Sequence, residues 1–357
     1  MIGPFPEPNS FILSLFAKLR RHPKRVVFPE PDDDRVLRAS AELVRREVVS
    51  PVLLGPRAFL RERLRSLGID SPFIQILDPA CAADLPLFCE RYVRMEKFRG
   101  VTVADPVAVM SKPHPFAAMM VQYGQADGLV AGNTVHASTV HRALFHLIKP
   151  LPEVRAPFAA SVLVAARQGK RDRILVLADC ALHPDPAPEQ LAAIAVESGR
   201  FCRHVLGRRP RVALLSHSTK GTSNSASALK VAAATALART MARERLLPME
   251  IDGEVQADVA LVPELAAAKT TRNLLKGKAD VLVFPTLDAA DISLRLLRHL
   301  GGFRSYGHFL LGLARPAVQV TRGISGVGLL GTAAAVGVEA ILHHELYPDG
   351  ETGGIVW

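Results

Sequence analysis

Apolar and polar positions along the chain fall into two recurring patterns. Short, nearly continuous apolar runs, each stopped by Gly, Pro, Ser or Asp, predict buried strands. They lie at Arg25 to Phe28, Pro51 to Leu54, Gly128 to Ala131, Phe158 to Val164, Ile174 to Ala178, Arg211 to Leu215, Val281 to Phe284 and Ala317 to Val320. Between them are longer stretches in which apolar residues return every three or four positions, the spacing of a helix with one buried face. Asp32 to Asp34 make an acidic helix start ahead of Arg35 to Arg46, and Glu189 to Arg203 predicts an amphipathic helix behind a Pro-rich turn. Such strand–helix alternation specifies a layered α/β fold. Pro150, Pro152 and Pro157 punctuate the best internal boundary. The Ala-rich stretches Ala232 to Ala238, Ala266 to Ala268 and Ala333 to Ala335 predict helix interiors.

With 357 residues and 49% hydrophobic content, the chain is long enough for its core to divide in two. The formal charge of +10 comes from Lys and Arg scattered along the sequence, not from a basic run interleaved with aromatics. Aromatics are 6% of the residues and the single Trp is terminal, so a base-stacking platform for nucleic acid is excluded. Small polyanionic ligands are the simpler use of the charge. Cys81, Cys89, Cys180 and Cys202 have no paired spacing and no His cluster beside them, which argues against zinc and disulfides and for a reducing compartment. The apolar patch Phe11 to Phe16 precedes Lys18, Arg20 and Arg21, the wrong order for a secretory signal. No uninterrupted apolar run approaches the roughly eighteen residues of a membrane span. The expectation is a soluble cytoplasmic protein with no membrane or nucleic-acid partner.

Candidate chemistry begins at Gln125 to Pro150. A buried strand stops at Gly132 and gives way to Asn133, Thr134, Ser138 and Thr139, the polar crevice that forms at a strand's carboxyl end in open α/β sheets. Arg142 is expected in the first turn of the following helix, where free N–H groups and the helix dipole favour a phosphate or carboxylate. A second element, Thr321-Arg322-Gly323, directly follows the strand ending at Val320. Its arginine suits a phosphoryl group or a developing oxyanion, or else is an ordinary surface arginine. A third, Ser216 to Gly221, contains hydroxyls, Lys220 and a glycine-bearing turn. It reads either as a phosphate cradle holding Ser218, Thr219 and Lys220 or as an N-capped strand-to-helix loop.

Several blocks, in order, resemble the phosphate acetyltransferase (phosphotransacetylase) family. They are PEPDDDRVLRA from Pro29, QADGLVAG from Gln125, LADCALHPDPAPEQLAAIA from Leu177, LLSHSTKGT from Leu214 and EIDGEVQADVALVPELAAAK from Glu250. The resemblance implies two three-layer α/β/α domains with an active-site cleft between them, of isocitrate/isopropylmalate dehydrogenase-like architecture. It places them at 1–152 plus 309–357 and at 153–308. It implies direct transfer of an acetyl group between coenzyme A and phosphate, with no permanently bound cofactor and no metal, by a homodimer. Arg322 becomes the leading catalytic residue, with Thr321 standing for the family's serine and Arg142 as its partner. Ser138, Thr139, Ser218, Thr219 and Lys220 become substrate-binding candidates.

The departures gather around the same site. Six positions beyond the arginine the family carries an acidic residue thought to act as base toward the coenzyme A thiol, and here that position is Gly328. The family's Gly-Pro-x-x-Gln-Gly reads Gly307 to Gly312 with His308 in place of the proline, and its Pro-Val-Asn-Asp reads Pro316 to Gln319. His308, His136 and Asp291 are candidate substitute bases. Two readings stand: an acetyltransferase of reduced rate, or a non-catalytic relative that binds coenzyme A or an acyl phosphate as a regulatory or partner subunit. The literal G-x-G-x-x-G at Gly326, Gly328 and Gly331 does not make a dinucleotide site, because no βαβ unit and no ribose-binding acid follow it.

Overall fold

The structure, a computed structural model, describes residues 5–151, 154, 156–166 and 172–346. The expected domain boundary at 152/153 lies outside the described residues. The strands are β1 (Lys24–Phe28), β2 (Val49–Leu54), β3 (Gln75–Leu77), β4 (Gly128–Ala131), β5 (Phe158–Ala165), β6 (Arg173–Ala178), β7 (Arg211–Leu215), β8 (Glu250–Val255), β9 (Val281–Val283), β10 (Arg304–Leu311) and β11 (Ala317–Gln319). They belong to two compact units, one of Met1–Lys149 with Leu313–Trp357, the other of Pro150–Gly312.

In the first unit the strands run β3-β2-β1-β4-β11, all parallel. Their near-continuous apolar character follows from burial on both faces. One helical layer comprises Ser10–Leu19, Asp34–Arg45 and Gly326–Leu346, and another includes Leu85–Phe98, Pro113–Gln122 and Ala137–Leu147. Gly128 opens β4 where no larger residue fits: a Cβ there would lie 2.2 Å from Val336 Cγ1 of the long C-terminal helix. Gly326–His343 is long and apolar enough to span a membrane, the one such helix among the described residues, yet 78% of it is buried inside the protein. It is a core helix packed on β1 and β4. The glycines at 326, 328 and 331 lie in it, not in a strand-to-helix turn.

The second unit orders its strands β10-β5-β6-β9-β7-β8. β10 and β5 are antiparallel, as are β5 and β6, while β6, β9, β7 and β8 run parallel. Helices Pro188–Leu206 and Ala226–Glu244 pack together over this sheet.

Candidate functional site

In the first unit β4 and β11 are neighbours in parallel register, with Ala131 opposite Gln319, so the loops that follow them leave the same end of the sheet. Gly132 turns the first loop at φ +104°, and a side chain there would strike the Val320 carbonyl at 2.5 Å. Only glycine lets the two strand ends come this close.

The shape of the loop is set by an acid that sequence reasoning passed over. Glu30, two residues beyond β1, is buried and points its carboxylate into the loop. Oε1 accepts from Gly132 N at 2.6 Å and lies 2.9 Å from His114 Nε2. Oε2 accepts from Thr134 N at 2.6 Å, Thr134 Oγ1 at 2.7 Å and Val135 N at 3.2 Å. Burial alone would raise the pKa of this carboxyl, but bonds from His114, Thr134 and Gly132 outweigh it and hold the value at about 2. The backbone donors of Gly132, Thr134 and Val135 are thus occupied by the protein's own carboxylate.

Arg35 joins this loop to the second one. Asp33 caps the helix Asp34–Arg45 and pairs with the Arg35 guanidinium at 2.7 Å. Arg35 then donates to the carbonyls of Arg322 at 2.8 Å, Ile324 at 2.7 Å and Asn133 at 3.2 Å. Asn133 Nδ2 donates to Asp33 and to the Glu30 carbonyl. Residues 133 and 322, nearly two hundred positions apart, are therefore held around one side chain. Their backbones are tied down while the Arg322 side chain stays exposed. Arg142, expected in the first turn, is instead the sixth residue of the helix Ala137–Leu147, past the free N–H groups of the helix start; it is likewise exposed, and neither arginine pairs with a carboxylate among the described residues. Ser138 and Thr139 lie exposed in that helix's first turn, Thr321 is half-buried, and His136 is exposed at the cap, where no side chain bonds the helix start.

Ser218, Thr219 and Lys220 lie in the second unit, beyond β7, and turn inward. Ser218 Oγ donates to Glu254 Oε1 at 3.1 Å, and Thr219 Oγ1 accepts from Gln256 N at 3.0 Å. The Lys220 ammonium is bonded to fully buried Asp252 and, at 2.8 Å, to the Gly253 carbonyl. Glu254 also accepts from Gly221 N at 2.6 Å, so the IDGE block shapes this loop as Glu30 shapes the other. Of the proposed substitute bases, His308 is buried with Nδ1 3.0 Å from Ser161 Oγ, and Asp291 pairs with Arg295 at 2.7 Å.

Gly328 falls in the first turn of the helix that starts at Gly326, with its N–H bonded to Ser325 Oγ at 3.1 Å. A Cβ at this position would meet Ile324 Cγ1 at 2.7 Å. The place of the expected carboxylate is closed by a buried isoleucine.

The phosphate acetyl/butaryl transferase family profile matches residues 10–336. The phosphate acetyltransferase of Treponema pallidum is 33% identical over 93% of this chain and 99% of its own length. That of Nitratidesulfovibrio vulgaris is also 33% identical over 93% of this chain, which spans only 46% of that relative's length. Among solved structures, the EutD phosphotransacetylase of Staphylococcus aureus superposes with a TM-score of 0.84 at 32% identity, covering 92% of this chain and 98% of that one.

Proposed function

The chain belongs to the phosphate acetyl/butaryl transferase family, and on that premise we propose that it interconverts acetyl-CoA plus phosphate with acetyl phosphate plus coenzyme A. The observation that carries the reading is the pair of exposed arginines, Arg142 on the helix that follows the Glu30-bound loop and Arg322 on the loop gripped by Arg35. A phosphate oxygen attacks the thioester carbonyl carbon, charge develops on the carbonyl oxygen, and the C–S bond breaks to release the thiolate. Arg322, with Thr321 beside it, stabilises that oxyanion, and Arg142 with Ser138 and Thr139 holds the phosphate. No metal or bound cofactor enters. Ser218, Thr219 and Lys220 serve by shaping their loop, with the Lys220 charge balanced by Asp252. His136 is the retained base candidate, since His308 and Asp291 already have partners.

The packing of Ile324 against Gly328 supports the second reading, a relative that binds these ligands with little turnover. We further infer a cytoplasmic homodimer. Four free cysteines fit a reducing compartment. A second copy of the chain suits the exposed seam of Ala226, Leu229, Ala233, Ala236, Leu237 and Thr240 on one helix, whose flanking cations Lys230 and Arg239 are bound to Asp185 and Asp252.

The test is steady-state release of coenzyme A from acetyl-CoA and phosphate by the purified chain and by Arg322→Ala. Turnover that falls by about a hundredfold or more in the variant supports the transferase. Saturable coenzyme A binding with no turnover in the parent selects the second reading.

A further inference from the structure

We propose that Glu30 is a positioning residue: a built-in anion that fills the backbone nest after β4 and so holds Arg142 and Arg322 ready before substrate arrives. The proposal rests on the acyl-transfer reading above. Three successive features converge on one carboxylate, namely the N–H groups of Gly132, Thr134 and Val135, the Thr134 hydroxyl and the His114 ring. Backbone N–H groups gathered in this way form an anion-binding concavity. An external phosphate would fit their chemistry, but Glu30 lies within hydrogen-bond distance of all of them and is buried.

The loop therefore takes the shape of an anion-bound loop around the protein's own carboxylate. Its rigidity passes along two routes. Downstream, the loop leads in a few residues to the helix Ala137–Leu147 that carries Arg142. Sideways, Asn133 gives its amide to the Glu30 carbonyl and to Asp33, and its carbonyl to Arg35, which grips the Arg322 and Ile324 carbonyls. A carboxylate is the group the site calls for, because the Thr134 hydroxyl and three backbone donors point at it. A glutamine would turn its own N–H₂ toward some of those donors. Glu30 touches no reacting atom in this scheme and acts only through the loop.

The experiment compares the full chain with Glu30→Ala, Glu30→Gln and Arg322→Ala in steady-state coenzyme A release, with and without added formate, using chloride at equal ionic strength as control. Glu30→Ala removes the carboxylate and leaves its donors around a space that formate can enter. The expected result is a loss of about a hundredfold in kcat/KM for phosphate in Glu30→Ala, the scale of a site displaced by about an ångström. Formate should recover at least about tenfold of that loss in a saturable way, whereas chloride should not, and Arg322→Ala should not respond to formate. A Glu30→Ala enzyme within about twofold of the parent, or a loss indifferent to formate, overturns the proposal. Should Glu30→Ala fail to fold, Glu30→Gln and Thr134→Val are compared with the parent without formate: a loss of about tenfold or more in kcat/KM for phosphate supports the proposal, and values within about twofold overturn it.

If the parent itself shows no turnover, the acyl-transfer reading falls separately. The positioning role is then read from amide hydrogen exchange at Gly132, Thr134 and Val135. Exchange that quickens in Glu30→Ala and slows again with formate supports it. Exchange unchanged by the substitution overturns it.

Discussion

Replacing Glu30 by glutamine should remove a defined piece of the protein's acid sensitivity. Its carboxyl is held at about 2 in the folded chain against an ordinary 4.5, because donors from His114, Thr134 and Gly132 more than offset burial. At about 1.4 kcal/mol per unit, the depression is worth about 3 kcal/mol of folding stability at neutral pH. The side chain is only 3% exposed, so solvent screening does not discount the figure. A depressed carboxyl pKa stabilises the fold above the unfolded value. That contribution is lost as the pH falls from about 4.5 toward about 2, and about 2 kcal/mol of it should be gone by pH 3. Urea titrations of parent and Glu30→Gln, followed by circular dichroism from pH 7 to pH 3, isolate this share, since other paired acids such as Asp33 and Glu42 are common to both proteins. The two stability curves should lie furthest apart at pH 7 and converge below pH 4.5. Curves that stay parallel through that window would refute the assignment of Glu30 as a charged, donor-saturated anion.

Gly328→Asp should gain up to about 1 kcal/mol from an acid in the first turn of a helix, yet lose more to the contact with Ile324. The double variant Gly328→Asp/Ile324→Ala should therefore be the one whose turnover rises, by about tenfold or more, in the assay for coenzyme A release. Without that carboxylate, acetyl-CoA synthesis from acetyl phosphate should quicken with pH up to about 8.5, the pKa of a free thiol, and a flat profile would argue that another base serves. Lys220→Ala should lower the urea midpoint, costing about 2 kcal/mol, because buried Asp252 keeps Arg239 but loses the ammonium. An unchanged midpoint with a large rise in the phosphate KM would instead place Lys220 on the substrate. Leu229→Glu/Leu237→Glu, at positions 55% and 38% exposed, should convert a homodimer to monomers in light scattering, while a parent already monomeric would remove the reading of that seam.

Every strand predicted from an apolar run is present, whereas β3, β8 and β10 escaped notice for a shared physical reason. β3 has only three residues, β8 carries Glu250, Asp252, Gly253 and Glu254 within six positions, and β10 is interrupted by Gly307 and His308. Their polar residues satisfy loops from within the sheet, so the apolar pattern breaks where the strand does not. The same concealment applies to the site. Arg142 and Arg322 stand out as exposed cations after apolar strands, and the role expected of them comes from the family resemblance. Glu30, Arg35, Asn133 and Asp33 were legible only as parts of motifs, since which donors an acid collects depends on residues about a hundred positions away. Spacing shows that such an acid is near a strand end, but not whether it faces ligand or loop. The acid directly ahead of the PDDDR helix start was the available signal.

The acids kept in the motif blocks and the acid missing at Gly328 differ in what their loss costs. Glu30, Asp252 and Glu254 each satisfy backbone or side-chain donors next to a loop, so removing any one leaves buried donors or cations without a partner and weakens the fold. An acid at 328 would press on Ile324 at a helix start whose N–H is already met by Ser325, so its absence leaves no donor of that turn unmet. Stability therefore preserves the first group whether or not the protein turns over, and only chemistry can preserve the second. Ile324 packs against Gly328 while its carbonyl is gripped by Arg35. A carboxylate introduced at 328 therefore becomes useful only when Ile324 is trimmed to admit it.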